Sequence, residues 1–166
     1  MDPSWYDYRK TVSKMVPWWR LAVFAAFALP ITFFDLKEMR IPDALSLGGI
    51  AVFVTFGILL PGGSVITMAL EALIGFGVFW AIAVATGGKL GLGDAKYSVL
   101  IALSLGLYGW LTTLAVAAVT GLAAGLVLVL RGGLPRDARI PFAPFLTLGA
   151  AVSIVMQQLY PDGFLT

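Results

Sequence analysis

The sequence predicts an all-α integral membrane protein built as a bundle of about six transmembrane helices. Three observations carry that prediction. Hydrophobic residues fill 60% of the 166 positions and charged ones only 12%. Mean hydropathy is +0.94. One stretch of 34 residues, Tyr97–Leu130, holds no charge at all. A soluble domain of this length exposes too much of its chain to water to carry so much apolar surface. Runs of about 20 apolar residues suit a bilayer instead.

The elements follow in order. Residues 1–20, "MDPSWYDYRKTVSKMVPWWR", are long and rich in Trp and Tyr. They read as an interfacial segment with an aromatic anchor rather than a cleaved leader. Residues 21–166 then form the six-helix domain. Its first span runs from Leu21 to Phe34 with Pro30 as a kink, and its second from Ala44 to Leu60, stopped by "PGG". The third runs from Val65 to Thr86 and carries Glu71. The uncharged stretch is too long for one crossing, so it divides near "GLYG" (106–109) into a short fourth helix and a fifth ending at Leu130. The sixth covers Phe142 to Leu159.

Loops one, three and five hold Lys37, Arg40, Lys89, Lys96, Arg131, Arg136 and Arg139, while loops two and four hold no cation. The excess of Lys and Arg predicts that the odd-numbered loops face the cytoplasm and both termini lie outside, with Arg9, Lys10, Lys14 and Arg20 pulling the other way. "GLAAG" on the fifth span spaces Gly121 and Gly125 for close helix contact, either within the chain or in a homodimer.

Composition excludes much chemistry. The chain has no Cys and no His. Disulfides, thiol nucleophiles, His- or Cys-built zinc sites and Ser–His pairs are therefore absent. A net charge of +2 without a basic, aromatic-laced patch excludes nucleic acid as a partner. No cofactor is implied. Carboxylates, lysine and tyrosine are left to do any acid–base work.

Three acids lie within or against apolar runs: Asp35, Glu71 and Asp94. Charged groups at membrane depth are costly and usually serve function. Asp35 closes the first span and Asp94 opens the fourth, so topology puts both at one membrane face. Two such carboxylates can share one proton and activate water, the ionised one as base and the protonated one as acid. Helix dipoles favour the anion at Asp94, near an N-terminus, and disfavour it at Asp35, near a C-terminus. Gly91 and Gly93 leave room for a substrate backbone. "GGKLGLGD" is no phosphate loop, and Lys96 breaks the GxGxxG pattern. A flexible turn with a capping aspartate fits the same residues. Glu71 reads as a snorkelling acid or a partner for the N-terminal cations. Tyr97 and Tyr108 read as interfacial or packing aromatics.

Taken together, "DLKEMRIPD" (35–43), "GLGDAK" (91–96) and "RIPFAPFLTLGA" (139–150) resemble, in order, three signatures of the type IV prepilin peptidases. The resemblance implies a six-helix aspartyl protease of the cytoplasmic (inner) membrane, with its active site facing the cytoplasm. Such enzymes cut short basic leaders from prepilin-like precursors. It implies Asp35 and Asp94 as the catalytic pair, supported by Gly91, Gly93, Lys96, Ile41 and Pro42. Two positions depart from the family pattern. Asp43 stands in place of Asn and adds a charge beside the pair, and Ala143 stands in place of Gly. With no Cys-x-x-Cys element, peptidase activity without N-methylation is expected. Presenilin-type proteases share GxGD, but their first aspartate follows Tyr; here it follows Phe34. A proton- or cation-coupled carrier, or an assembly subunit whose acids merely solvate helix ends, are the readings from other classes.

Overall fold

The computed structural model describes residues 16–59, 64–87, 90–131 and 140–160. The segment 1–15, "PGG" at 61–63, Lys89, Arg136 and Arg139 lie outside the described residues. Five helices and no strand occur among those described: α1 Trp18–Glu38, α2 Asp43–Leu59, α3 Val65–Ala85, α4 Leu92–Leu130 and α5 Ala143–Leu159.

Local sequence accounts for their ends. Met39 closes α1 in the left-handed region (φ 51, ψ 36), its N–H bonded to the Asp35 carbonyl. The Pro42 carbonyl accepts from the N–H groups of Leu45 and Ser46 and so starts α2. Ser64 caps α3, its Oγ accepting from the Thr67 N–H at 3.3 Å. Gly91 is the N-cap of α4.

Helix α4 is 39 residues long, about 58 Å if straight, against a hydrocarbon core of about 30 Å. It is not straight. Gly106 sits at φ 73, ψ 173, a conformation open essentially to glycine alone, and two helical arms meet there. The break falls in the "GLYG" segment where the sequence predicts a division. The arms are tied together across it by the Trp110 indole N–H, which donates to Ser98 Oγ at 2.7 Å.

The first arm of α4 is the centre of the molecule. Every residue from Tyr97 to Leu105 is buried. Small residues on neighbouring helices let it in: a Cβ at Gly49 of α2 would touch Leu100, and one at Gly75 of α3 would touch Ala102 and the Ser98 carbonyl. The second arm packs on α5, where Gly149 lies directly against the Thr113 backbone and Ser153 Oγ donates to the Gly109 carbonyl at 2.9 Å. Such close backbone approach is how helices associate where lipid tails offer no hydrophobic gain.

The outside is apolar along its length: Leu29, Phe33, Leu73, Trp80, Leu122 and Leu126 are all exposed. Apolar exposure on that scale belongs in lipid. Three helices, Trp18–Glu38, Val65–Ala85 and Leu92–Leu130, are long and apolar enough to cross a bilayer. The chain is a multi-pass membrane protein.

Where the sequence left alternatives open, the structure favours one. Tyr97 is a packing aromatic. It is fully buried, stacked on Phe24 at 6.5 Å, with its hydroxyl 2.7 Å from Thr147 Oγ1, which in turn lies 2.6 Å from Thr32 Oγ1. Gly121 and Gly125 face Phe142 and Ile140 of the same chain, the internal-packing alternative for "GLAAG". Glu71 lies in the second turn of α3, partly buried. Its Oε1 also lies against Gly106, 3.7 Å from where a Cβ would stand.

Candidate active site

Asp35 lies one turn before the end of α1, pointing inward at 5% exposure. Burying a carboxylate requires donors. One comes from the far end of the chain: the Ala143 N–H, in the first turn of α5, donates to Asp35 Oδ2 at 2.9 Å. A helix N-terminus needs acceptors for its free N–H groups, so the contact satisfies both partners. The third signature thus meets the first.

Asp94 lies in the first turn of α4, half-buried, its own N–H bonded to the Gly91 carbonyl at 3.1 Å. Gly93 is pressed against the α1–α2 turn, where a Cβ would stand 3.0 Å from Ile41 Cβ. The second signature thus meets the first as well. Asp35, Met39, Arg40, Ile41, Asp43, Gly91, Leu92, Gly93, Asp94 and Lys96 line one pocket of about 270 Å³. A second, apolar hollow of about 430 Å³ adjoins it, sharing Gly91 and Leu92 and walled by Trp80, Ala83, Val84 and Leu90.

Of the residues singled out in the sequence, Asp35, Asp94, Gly91, Gly93, Lys96 and Ile41 share this pocket; Pro42 serves by starting α2. Asp43 is not a loose extra charge. Its Oδ1 accepts from Lys96 Nζ at 2.6 Å, joining the first residue of α2 to the N-terminal part of α4. The sequence carried a signal for this pair, since the two opposite charges lie close to helix starts at the same end of the bundle. Lys37 turns away, its ammonium 5.9 Å from the Phe33 ring centroid. The backbone donor at Ala143 gives no such signal, because main-chain groups are the same in every residue.

The donor also changes the electrostatic argument. Helix ends in sequence order favour the charge at Asp94 over Asp35, but the N-terminus of α5 aims at Asp35 and stabilises a carboxylate there. Asp35 thus lies between the C-terminus of its own helix and the N-terminus of α5, which offset one another in part, while Asp94 has an N-terminus alone. Among the described residues no three acidic side chains converge as metal ligands. The arrangement has one evident capacity: two carboxylates, one buried and one half-buried, over a pocket open to an extended backbone.

Comparison with known proteins agrees. A profile described as "Type IV leader peptidase family" matches residues 22–126. The chain is 29% identical over 143 residues to a protein of Aeromonas hydrophila named prepilin leader peptidase/N-methyltransferase, covering 82% of this chain and 49% of that one. A protein of the same name from Aeromonas salmonicida (strain A449) is 30% identical over 132 residues, covering 75% of this chain and 45% of its own. One from Pectobacterium carotovorum subsp. carotovorum is 28% identical over 145 residues, 83% and 51% respectively. The chain spans about half the length of the curated relatives it matches. No solved structure matches. On the match to well over half of its length, the chain belongs to the type IV leader peptidase family.

Proposed function

We propose that the chain is an aspartyl endopeptidase that removes the leader of type IV prepilin-like precursors at the cytoplasmic face of the inner membrane. The observation that carries this is the meeting of Asp35 and Asp94 in one pocket, at helix ends that are far apart in sequence. Residues 21–166 act as one unit of six passes, with α4 counted as two because its arms part at Gly106.

The chemistry follows from the pair. Two neighbouring carboxylates hold one proton between them near neutral pH. The ionised member takes a proton from a water molecule while the protonated member donates to the scissile carbonyl oxygen. The hydroxide oxygen bonds to the carbonyl carbon and gives a gem-diol. Its collapse breaks the C–N bond, with a proton passing from the pair to the leaving amine. Ala143 holds Asp35 in place through its N–H. Gly91 and Gly93 keep the approach free of side chains, and the apolar hollow beside them suits the lipid-facing part of a precursor.

The test is co-expression with a type IV prepilin. The wild-type chain shortens the precursor, and Asp35→Asn or Asp94→Asn each reduces cleavage at least about 10²-fold, the general acid–base contribution of such a group. A carrier would leave the precursor whole. Full-speed processing by either variant would refute the mechanism.

A further inference from the structure

Lys96 is an odd residue for its place. It lies just past the first turn of α4, where a cation gains nothing from the helix dipole. Its side chain is only 26% exposed, and it lines the pocket two residues from Asp94. A flexible lysine there has three carboxylates within the same 270 Å³ pocket to choose from: Asp35, Asp43 and Asp94. It bonds to Asp43, the outermost, whose side chain is 65% exposed.

We propose that Asp43 is a positioning residue that sequesters the Lys96 ammonium away from the Asp35–Asp94 pair, and that the clasp between them sets the pH range over which that pair keeps its shared proton. This rests on the reading of Asp35 and Asp94 as an aspartyl pair. As a surface ion pair the contact contributes little to stability, because water screens it and two long side chains must be ordered to make it. Its electrostatic consequence is larger, since both ends lie in the pocket that holds the reacting carboxylates.

The charges around the pair are few. α1 brings Asp35 itself, with Lys37 held over Phe33 and Glu38 exposed beside it. The turn brings Arg40, α2 brings Asp43, and α4 brings Asp94 and Lys96. The described end of α3 brings only uncharged residues, and α5 brings the Ala143 N–H and the Thr147 hydroxyl that holds Tyr97. Arg40 and Lys96 are thus the cations among the described residues that line the pocket, and Lys96 is cancelled by Asp43.

Opposite consequences follow for the two halves of the clasp. Neutralising Asp43 frees Lys96 to swing to the pair, where a cation favours two ionised carboxylates and the shared proton leaves at lower pH. Neutralising Lys96 leaves Asp43 as an uncompensated anion, which holds that proton to higher pH. An amide at position 43, as in the family pattern, can accept from Lys96 but cannot cancel its charge.

The experiment is a set of pH–rate profiles on a type IV prepilin cleaved by the full chain in lipid bilayers. Asp43→Asn moves the alkaline limb down and Lys96→Met moves it up, each by about 0.5–1 pH unit for one charge within a Debye length. The double variant returns to the wild-type limb, and Lys96→Arg never leaves it. If Asp43→Asn does not fold, Lys96→Met against Lys96→Arg still decides, because only the first changes charge. Limbs that stay put, or move in the same direction in both single variants, overturn the clasp while Asp35→Asn and Asp94→Asn stay inactive. If those two cleave at the wild-type rate, the aspartyl reading itself falls.

Discussion

Ile41 and Gly93 show how one missing side chain joins two motifs. A Cβ on Gly93 would stand 3.0 Å from Ile41 Cβ, closer than such atoms normally pack. Alanine improves helix propensity there by about 1 kcal/mol, so a stability measurement alone would hide the clash. Gly93→Ala is expected to lower the cleavage rate about ten-fold with a melting temperature within a few degrees of wild type, and Gly93→Val to lower it further. Unchanged turnover in both would show that the α1–α2 turn need not touch α4. At Tyr97 the expected effect is on stability instead. The hydroxyl belongs to a buried chain through Thr147 to Thr32, linking α4, α5 and α1. Tyr97→Phe leaves a hydroxyl partner short and should cost about 1 kcal/mol in reversible unfolding.

At the scale of elements, Gly106 decides how α4 is used. The conformation φ 73, ψ 173 strains any residue with a Cβ by about 1–3 kcal/mol. Gly106→Ala should lower thermal stability by that amount, with Asp35 and Asp94 untouched at the far end of the arm. A melting curve indistinguishable from wild type would mean that the arms need no break at this point. At Gly149 a Cβ would drive into the Thr113 backbone, so Gly149→Ala should force α5 away from α4. Because the N–H of Ala143 at the start of α5 holds Asp35, that variant should lose cleavage together with stability. The helices themselves were legible from apolar runs and punctuation: the expected Ala44–Leu60 and Val65–Thr86 spans match α2 and α3 to within a residue. The break in α4 was legible as glycines in a run too long for one crossing. Its geometry was not, since the left-handed φ depends on which neighbours hold the two arms.

At the scale of the whole molecule, orientation is the open quantity, and the absence of native cysteine makes it directly measurable. Single variants Arg40→Cys and Ser64→Cys are expected to react with a membrane-impermeant thiol reagent from opposite sides, position 40 from the cytoplasm. Labelling of both from one side would overturn the topology and the cytoplasmic site with it. The candidate pair was legible because membrane insertion penalises charge. Among so few acids, those kept at helix ends on one face stand out. What supports the pair was less legible. Tyr97 fitted an interfacial or a packing role, and it packs, because its side chain is amphipathic and only the neighbours determine whether its hydroxyl meets water or Thr147. By itself the sequence determined the helices, the break in α4, their apolar exterior and the two candidate aspartates, all of which follow from the local cost of placing polar groups in an apolar medium. Tertiary structure alone decided which backbone N–H holds Asp35, which carboxylate binds Lys96 and which face of each glycine is filled. Those depend on distances between residues far apart in the chain, which no local pattern encodes.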